Sequence, residues 1–329
     1  MRVKVSIIVP IYNAHDHISQ CLDHLLSQDL KEIEIICVLD CPTDGTDEIV
    51  KAYAEKDERI TILENKNNLH VGESRNIGLS CAKGEFIGFC DHDDYCDTTM
   101  YKELYECAIS NHSLYSYCDY SVIVTSDKGK DISRHKRYET NPIQCLESIL
   151  KDEHDLHTII WNKIIKREFI IQNNIKFKDT KKINGEDQIF NSEILIALYK
   201  ENEKTCYIEK KMYHHLIHQN NTGLSDSYIE KSILFRDYLT KKISTSYVNK
   251  HTKTEELLTE GTIAVIYRIF RYRLKFKGIK KAISTLTGLH EYKYIIENIR
   301  KYKFQYNKNL TIPKNITSWI IKLYLTIKK

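Results

Sequence analysis

Val3-Lys4-Val5-Ser6-Ile7-Ile8-Val9, closed by Pro10-Ile11-Tyr12-Asn13, is a short apolar run rich in β-branched residues. Such side chains are stiff and pack well on a pleated surface, so the run predicts a buried strand over residues 3–9. It is too short for a membrane span or the core of a signal peptide. Working outward, residues 15–28 place Ile18, Cys21, Leu22, Leu25 and Leu26 at helical spacing, and Ile33–Leu39 is a second apolar strand. A helix opens at Asp44-Gly45-Thr46, with Asp44 or Thr46 as its N-cap, and runs to Glu55. Arg59–Glu64 predicts a third strand, residues 71–82 a helix, and Glu85–Cys90 a fourth strand. Strands alternating with helices imply the α/β class: a Rossmann-like, mostly parallel sheet with helices on both faces. Ligands of such sheets bind beyond the carboxyl ends of the strands. Tyr12-Asn13, Asp40 and Asp91-His92-Asp93-Asp94 all stand there, brought to one edge despite their separation in sequence.

Further along, a helix is expected over Met100–Ile109, a Tyr-rich strand over Leu114–Val124 and a surface loop over Ser126–Thr140. A helix follows at 187–199, then a strand over Thr205–Tyr213 that runs into a His-rich segment. From about residue 226 the pattern is mainly helical. Two domains result, 1–224 and a helical C-terminal region 225–329.

A hydrophobic fraction of 42% with 29% charged residues fits a globular protein rather than a disordered one. None of the 10 cysteines forms a CxxC pair, which removes zinc-ribbon and thioredoxin-type sites; buried reduced thiols are expected instead. No uncharged apolar run reaches membrane-spanning length, so a cytoplasmic protein is expected. The net charge of +4 hides a split. Residues 261–329 carry 16 Lys and Arg against 2 Asp and Glu, which leaves the rest of the chain at −10.

Asp91, Asp93 and Asp94 crowd three carboxylates into four residues at a strand end. Like charges repel unless protons or a cation neutralise them. Hard oxygen ligands suit Mg²⁺ or Mn²⁺, and Mg²⁺ sites use one or two carboxylates with substrate phosphates. Read alone, the run is equally well a solvated acidic turn entering the next helix. Glu186-Asp187, read alone, is an acidic pair favoured by a helix N-terminus.

Six segments, in order over residues 5–190, resemble family 2 glycosyltransferases of the GT-A nucleotide-sugar-binding fold. They are Val5–Asn13, Asp40–Thr46, the Gly72/Arg75-Asn76/Gly78 stretch, Phe89–Tyr95, Trp161-Asn162-Lys163 and Gly185-Glu186-Asp187. The resemblance implies an inverting enzyme that moves a sugar from a nucleotide-sugar donor, by family default UDP-hexose or UDP-N-acetylhexosamine, to a hydroxyl of a growing bacterial surface glycan. Capsule, lipooligosaccharide and O-antigen are the expected settings. Pro10, Tyr12, Asn13, Asp40, Arg75, Asp91 and His92 would contact the donor, Arg75 at the diphosphate or bracing the acidic loop. Asp93, with Asp91, would hold the divalent metal. Asp187, with Glu186 beside it, would take the acceptor's proton. The chain departs from the pattern at Leu39, where a first Asp is common, and at Cys41-Pro42, which replaces Gly-Ser in the nucleotide loop.

In Tyr213-His214-His215-Leu216-Ile217-His218 the GT-A resemblance implies a further metal or diphosphate contact from His215 or His218; read alone the run is a surface His cluster, and on a helix His214 and His218 would share a face. In the tail, Ile316, Trp319, Ile320, Leu323 and Ile327 recur at helical steps among lysines, and Arg268–Lys281 is strongly basic. A basic amphipathic helix bearing Trp can lie on an anionic membrane surface, here the inner face of the cytoplasmic membrane. The acceptor would be a glycan or a lipid-linked glycan. Packing of the tail on the catalytic domain or a sister subunit is the competing use, so an oligomer stays open. No nucleic-acid module accompanies the charge. A nucleotidyltransferase would need a Gly-rich basic loop after the first strand, and a dehydrogenase would need GxGxxG; neither is present. The alternative of another class is a non-catalytic, glycosyltransferase-like scaffold in a glycan assembly complex.

Overall fold

A computed structural model of the chain describes residues 2–126, 129–131, 141–150 and 156–218, with isolated positions between 231 and 242. The chain divides into two compact units, and the first, residues 1–149 and 154–222, contains the sheet. Apart from those isolated positions, the helical region expected at 225–329, with its basic segment and amphipathic helix, lies outside the described residues, as does most of the Ser126–Thr140 loop.

Strands β1 (Val5–Ile11), β2 (Ile33–Leu39) and β3 (Ile60–Glu64) pair in parallel, and β4 (Phe86–Phe89) adds in parallel to the other side of β1. Helices α1 (Ile18–Leu26), α2 (Thr46–Ala54) and α3 (His70–Cys81) are the crossovers. Every residue of β1, β2 and β4 is buried, which is why these strands read as continuous apolar runs rather than alternating ones.

Beyond β4 the sheet turns mixed. After β5 (Tyr95–Cys96) come α4 (Met100–Ser110), β6 (Tyr115–Val124), β7 (Lys130–Asp131), α5 (Pro142–Leu150) and β8 (Lys163–Lys166). They are followed by α6 (Arg167–Gln172), α7 (Glu186–Lys200) and β9 (Cys206–Ile217). The order is β3-β2-β1-β4-β8-β6-β9-β5, with β7 on β6. β8 runs antiparallel to both β4 and β6. Its four residues, Lys-Ile-Ile-Lys, are too few to show a period, so its pairing is decided by its neighbours.

The strand expected over 205–213 continues to Ile217, because Tyr120–Val124 of β6 pairs in parallel with Tyr213–Ile217. The His-rich segment is therefore extended, and no helical face joins His214 to His218. In a strand, alternate residues share a face, so Tyr213 and His215 lie on one side and His214 on the other.

The glycines of the α3 motif permit close packing. A Cβ at Gly78 would lie 2.5 Å from Ile8 Cγ2, and one at Gly72 would meet the carbonyl oxygen of Lys178. Gly78→Ala is expected to cost about 1–3 kcal/mol through overpacking, read as a lower urea midpoint with an unchanged m-value.

Cys107 of α4 and Cys206 of β9 form a disulfide, which corrects the expectation of thiols throughout. They stand 99 positions apart, so no local spacing could announce the pair. The other eight cysteines are in no disulfide. Among the described residues no helix is long and apolar enough to cross a membrane.

Candidate active site

The carboxyl edge of the parallel strands opens into a cavity of about 480 Å³. β1 supplies Pro10, Ile11 and then Tyr12; the end of β2 supplies Asp40; the turn after β4 supplies Asp91, His92 and Asp93. Arg75 enters from α3, and the first turn of α7 brings Glu186 and Asp187. Residues spread over more than 170 positions thus meet because parallel strands end on one side.

Asp40 is buried and shapes the wall. Its Oδ1 accepts hydrogen bonds from Asn65 Nδ2 (2.7 Å) and the Leu69 amide (2.7 Å), and its Oδ2 accepts from the His70 amide (2.8 Å). It therefore ties the loop that enters α3 to the end of β2. Asn13 was expected to face the donor, but it is absent from the cavity wall. Its Oδ1 accepts from the Thr43 amide (2.8 Å), bracing the loop in which Cys41-Pro42 stands, and both Asn13 and Cys41 have positive φ. His92 lines the cavity with Nδ1 3.2 Å from the Pro10 carbonyl oxygen.

Arg75 is the hub. Its side chain is 3% exposed, and its guanidinium donates to Asp91 Oδ1 (2.9 Å), Asp187 Oδ1 (2.5 Å) and Glu186 Oε1 (3.3 Å). The Phe177 ring packs 5.3 Å from its central carbon. Burial disfavours the arginine's charge, yet the three carboxylates hold its pKa above the usual value. For Asp187 burial dominates: despite Arg75, and with Glu186 and Asp91 adding repulsion, its carboxyl is pushed up to about 7. A carboxylate poised there can take a proton near neutral pH.

Asp94 faces away from the cavity and is buried among Tyr213, His215 and the Leu216 amide. Burial raises its pKa to about 6, against the stabilising His215 contact. The four expected metal ligands are not gathered in one place. Among the described residues no three His, Cys, Asp or Glu side chains form a ready-made metal site. His215 turns Nδ1 to Asp94 (3.1 Å), and His218 stacks on His17 with centroids 4.3 Å apart. Asp93 lines the cavity and accepts no hydrogen bond among the described residues, so both its oxygens are available to a cation.

The Glycosyl transferase family 2 model matches residues 6–173. The chain belongs to glycosyl transferase family 2. It is 32% identical over 227 residues to the uncharacterized glycosyltransferase EpsJ of Bacillus subtilis, covering 68% of this chain and 63% of that one. It is 30% identical over 230 residues to the poly(ribitol-phosphate) beta-glucosyltransferase of Bacillus spizizenii, covering 69% of this chain and 34% of that one. The crystal structure of S. aureus TarS 1–349 in complex with UDP-GlcNAc superimposes with a TM-score of 0.69 at 21% identity, over 90% of this chain and 81% of that one. The fold of this family 2 chain is accordingly GT-A.

Besides Ile11 at the end of β1, four described lining residues of the family 2 cavity were not singled out from the sequence: Asn68, His70, Val71 and Ser74. These four fall in or beside the Gly72/Arg75-Asn76/Gly78 stretch, which was the available signal. Which of its side chains face inward depends on how α3 sits against β1, and on the turn at His70, where φ is +67°.

Proposed function

We propose that this chain is an inverting glycosyltransferase that moves a hexose or N-acetylhexosamine from a UDP-linked donor to a hydroxyl of a bacterial surface glycan. The observation that carries this reading is the charge of the cavity. Asp40, Asp91, Asp93, Glu186 and Asp187 line it, with Arg75 the one arginine or lysine among the described lining residues. A diphosphate, itself anionic, enters such a site only together with a cation. Asp93, with the Asp91 oxygen that Arg75 leaves free, fits Mn²⁺ or Mg²⁺, which take one or two carboxylates and complete their shell with phosphate oxygens and water. A bound divalent ion supplies Lewis-acid stabilisation of the charge growing on the departing UDP.

The acceptor oxygen attacks the anomeric carbon as the bond to the β-phosphate oxygen breaks, and that electron pair leaves with UDP. Asp187 takes the acceptor's proton, and attack opposite the leaving group inverts the anomeric centre. The UDP-GlcNAc-bound neighbour supports a UDP donor, and the poly(ribitol-phosphate) beta-glucosyltransferase supports a polymeric acceptor that offers hydroxyls. The basic excess of residues 261–329 supports work at an anionic membrane face.

Thermal unfolding with UDP-glucose or UDP-GlcNAc tests the donor site. At 100 times Kd a ligand adds about 2.7 kcal/mol of apparent stability, so a clear rise in Tm is expected with Mn²⁺ and little with EDTA. Asp93→Ala is expected to lose the Mn²⁺-dependent part. Equal binding in EDTA and in Asp93→Ala would remove the metal from the proposal. Binding without turnover over a broad acceptor panel would favour the scaffold.

A further inference from the structure

Trp161 belongs to a motif legible in the sequence, yet it does not line the cavity. Its indole is 4% exposed and packs flat against the Tyr213 ring, with centroids 4.2 Å apart and planes 15° from parallel. The His215 ring lies on the same indole at 5.6 Å and 19°. Tyr120 meets Trp161 edge-on at 4.8 Å, which closes off sideways movement.

Both residues backed by the indole reach the acidic turn. The Tyr213 hydroxyl donates to Asp94 Oδ2 (2.9 Å) and accepts from the Asp91 backbone amide (3.1 Å). His215 Nδ1 lies 3.1 Å from each Asp94 oxygen, and Oδ1 also accepts from the Leu216 amide (2.8 Å). Asp94 in turn closes the turn, its amide donating to the Asp91 carbonyl (3.2 Å). One aromatic plane thus backs two polar arms that grip the turn at both ends, with Asp93 between them and free to face the cavity.

We propose that Trp161 and Tyr213 are positioning residues that set the geometry of the Asp91–Asp94 turn, and so the affinity of the site for the divalent ion that accompanies the donor diphosphate. This rests on the donor reading above. The indole fixes the tilt of the Tyr213 ring. A ring so held can place one hydroxyl within hydrogen-bond distance of a backbone amide and a buried carboxylate at once. Neither residue lines the cavity, so the chemical step at saturating metal should be nearly independent of them.

The test is calorimetric titration of UDP into the whole protein over a series of Mn²⁺ concentrations. Tyr213→Phe keeps the ring and its stack and removes only the hydroxyl. It is expected to raise the Mn²⁺ concentration for half-maximal UDP binding about tenfold, the effect of one lost hydrogen bond to a charged group. With saturating Mn²⁺, kcat should stay within about threefold of the unaltered protein, since transition-state contacts are untouched. Trp161→Ala should shift the Mn²⁺ requirement in the same direction, and Trp161→Phe, which restores a stacking ring, should recover most of the shift. An unchanged Mn²⁺ requirement in Tyr213→Phe overturns the proposal. A shift in Tyr213→Phe with none in Trp161→Ala, or no recovery in Trp161→Phe, removes Trp161 from it. If the unaltered protein shows no Mn²⁺-dependent UDP binding, the donor reading fails and this proposal with it; Mn²⁺-dependent binding that is indifferent to Tyr213→Phe leaves the donor reading standing.

Discussion

Asp187→Asn is expected to lower kcat by a factor of about 10²–10⁴, the range that a positioned general base contributes. UDP binding in Mn²⁺ should survive. Asn is close to isosteric, and Arg75 keeps Asp91 at 2.9 Å and Glu186 at 3.3 Å, so the buried guanidinium is not left unpaired. The pH profile provides an independent check. Burial, opposed by Arg75 and reinforced by Glu186 and Asp91, places the Asp187 carboxyl at about 7. The base acts deprotonated, so kcat/KM of the unaltered enzyme should rise with pH through about 7 and level off above it, and Asp187→Asn should lose that limb. Full activity in Asp187→Asn, with the same profile, would assign proton removal to another group.

Arg75→Ala is expected to cost about 3–5 kcal/mol of stability, the usual penalty for deleting one member of a buried ion cluster. Three carboxylates converge on this guanidinium, and its removal leaves them facing one another with no cation between them. The Phe177 ring also loses the group it packs against. Loss in urea midpoint would report the effect. Mn²⁺ together with UDP should restore part of it, because the ion neutralises Asp91 and Asp93. Arg75→Lys should recover little, since one ammonium cannot present the planar fork that reaches all three carboxylates. A variant as stable as the unaltered protein would show that the carboxylates are paired by protons instead.

The parallel half of the fold was legible from local pattern. Val5–Ile11 and Ile33–Leu39 are apolar throughout because both faces of β1 and β2 are covered, and burial on both faces leaves a signature within seven residues. Helices α1, α2 and α3 announce themselves by spacing, and the carboxyl-edge rule then places Asp40 and Asp91 on one rim without further information. The antiparallel half was not legible. β8 is four residues long, and the extension of β9 through His214–Ile217 exists because β6 offers backbone partners from Tyr120 to Val124. Two histidines followed by only two apolar residues carry no strand signal strong enough to show this alone.

The carboxylates divide in the same way. Which acids gather at the site follows from motif order and strand ends, and is determined by the sequence. What each acid does there was decided by tertiary structure, because it depends on distances of a few ångström between residues far apart in the chain. Asp93 faces the cavity with free oxygens, whereas Asp94, one residue on, is turned inward and held by Tyr213 and His215. Asp187 sits 112 positions from Arg75 and acquires its raised pKa only when helix α7 buries it beside that arginine and Glu186. A run of like charges is visible in one dimension; burial and partners, which set how each charge behaves, exist only in three.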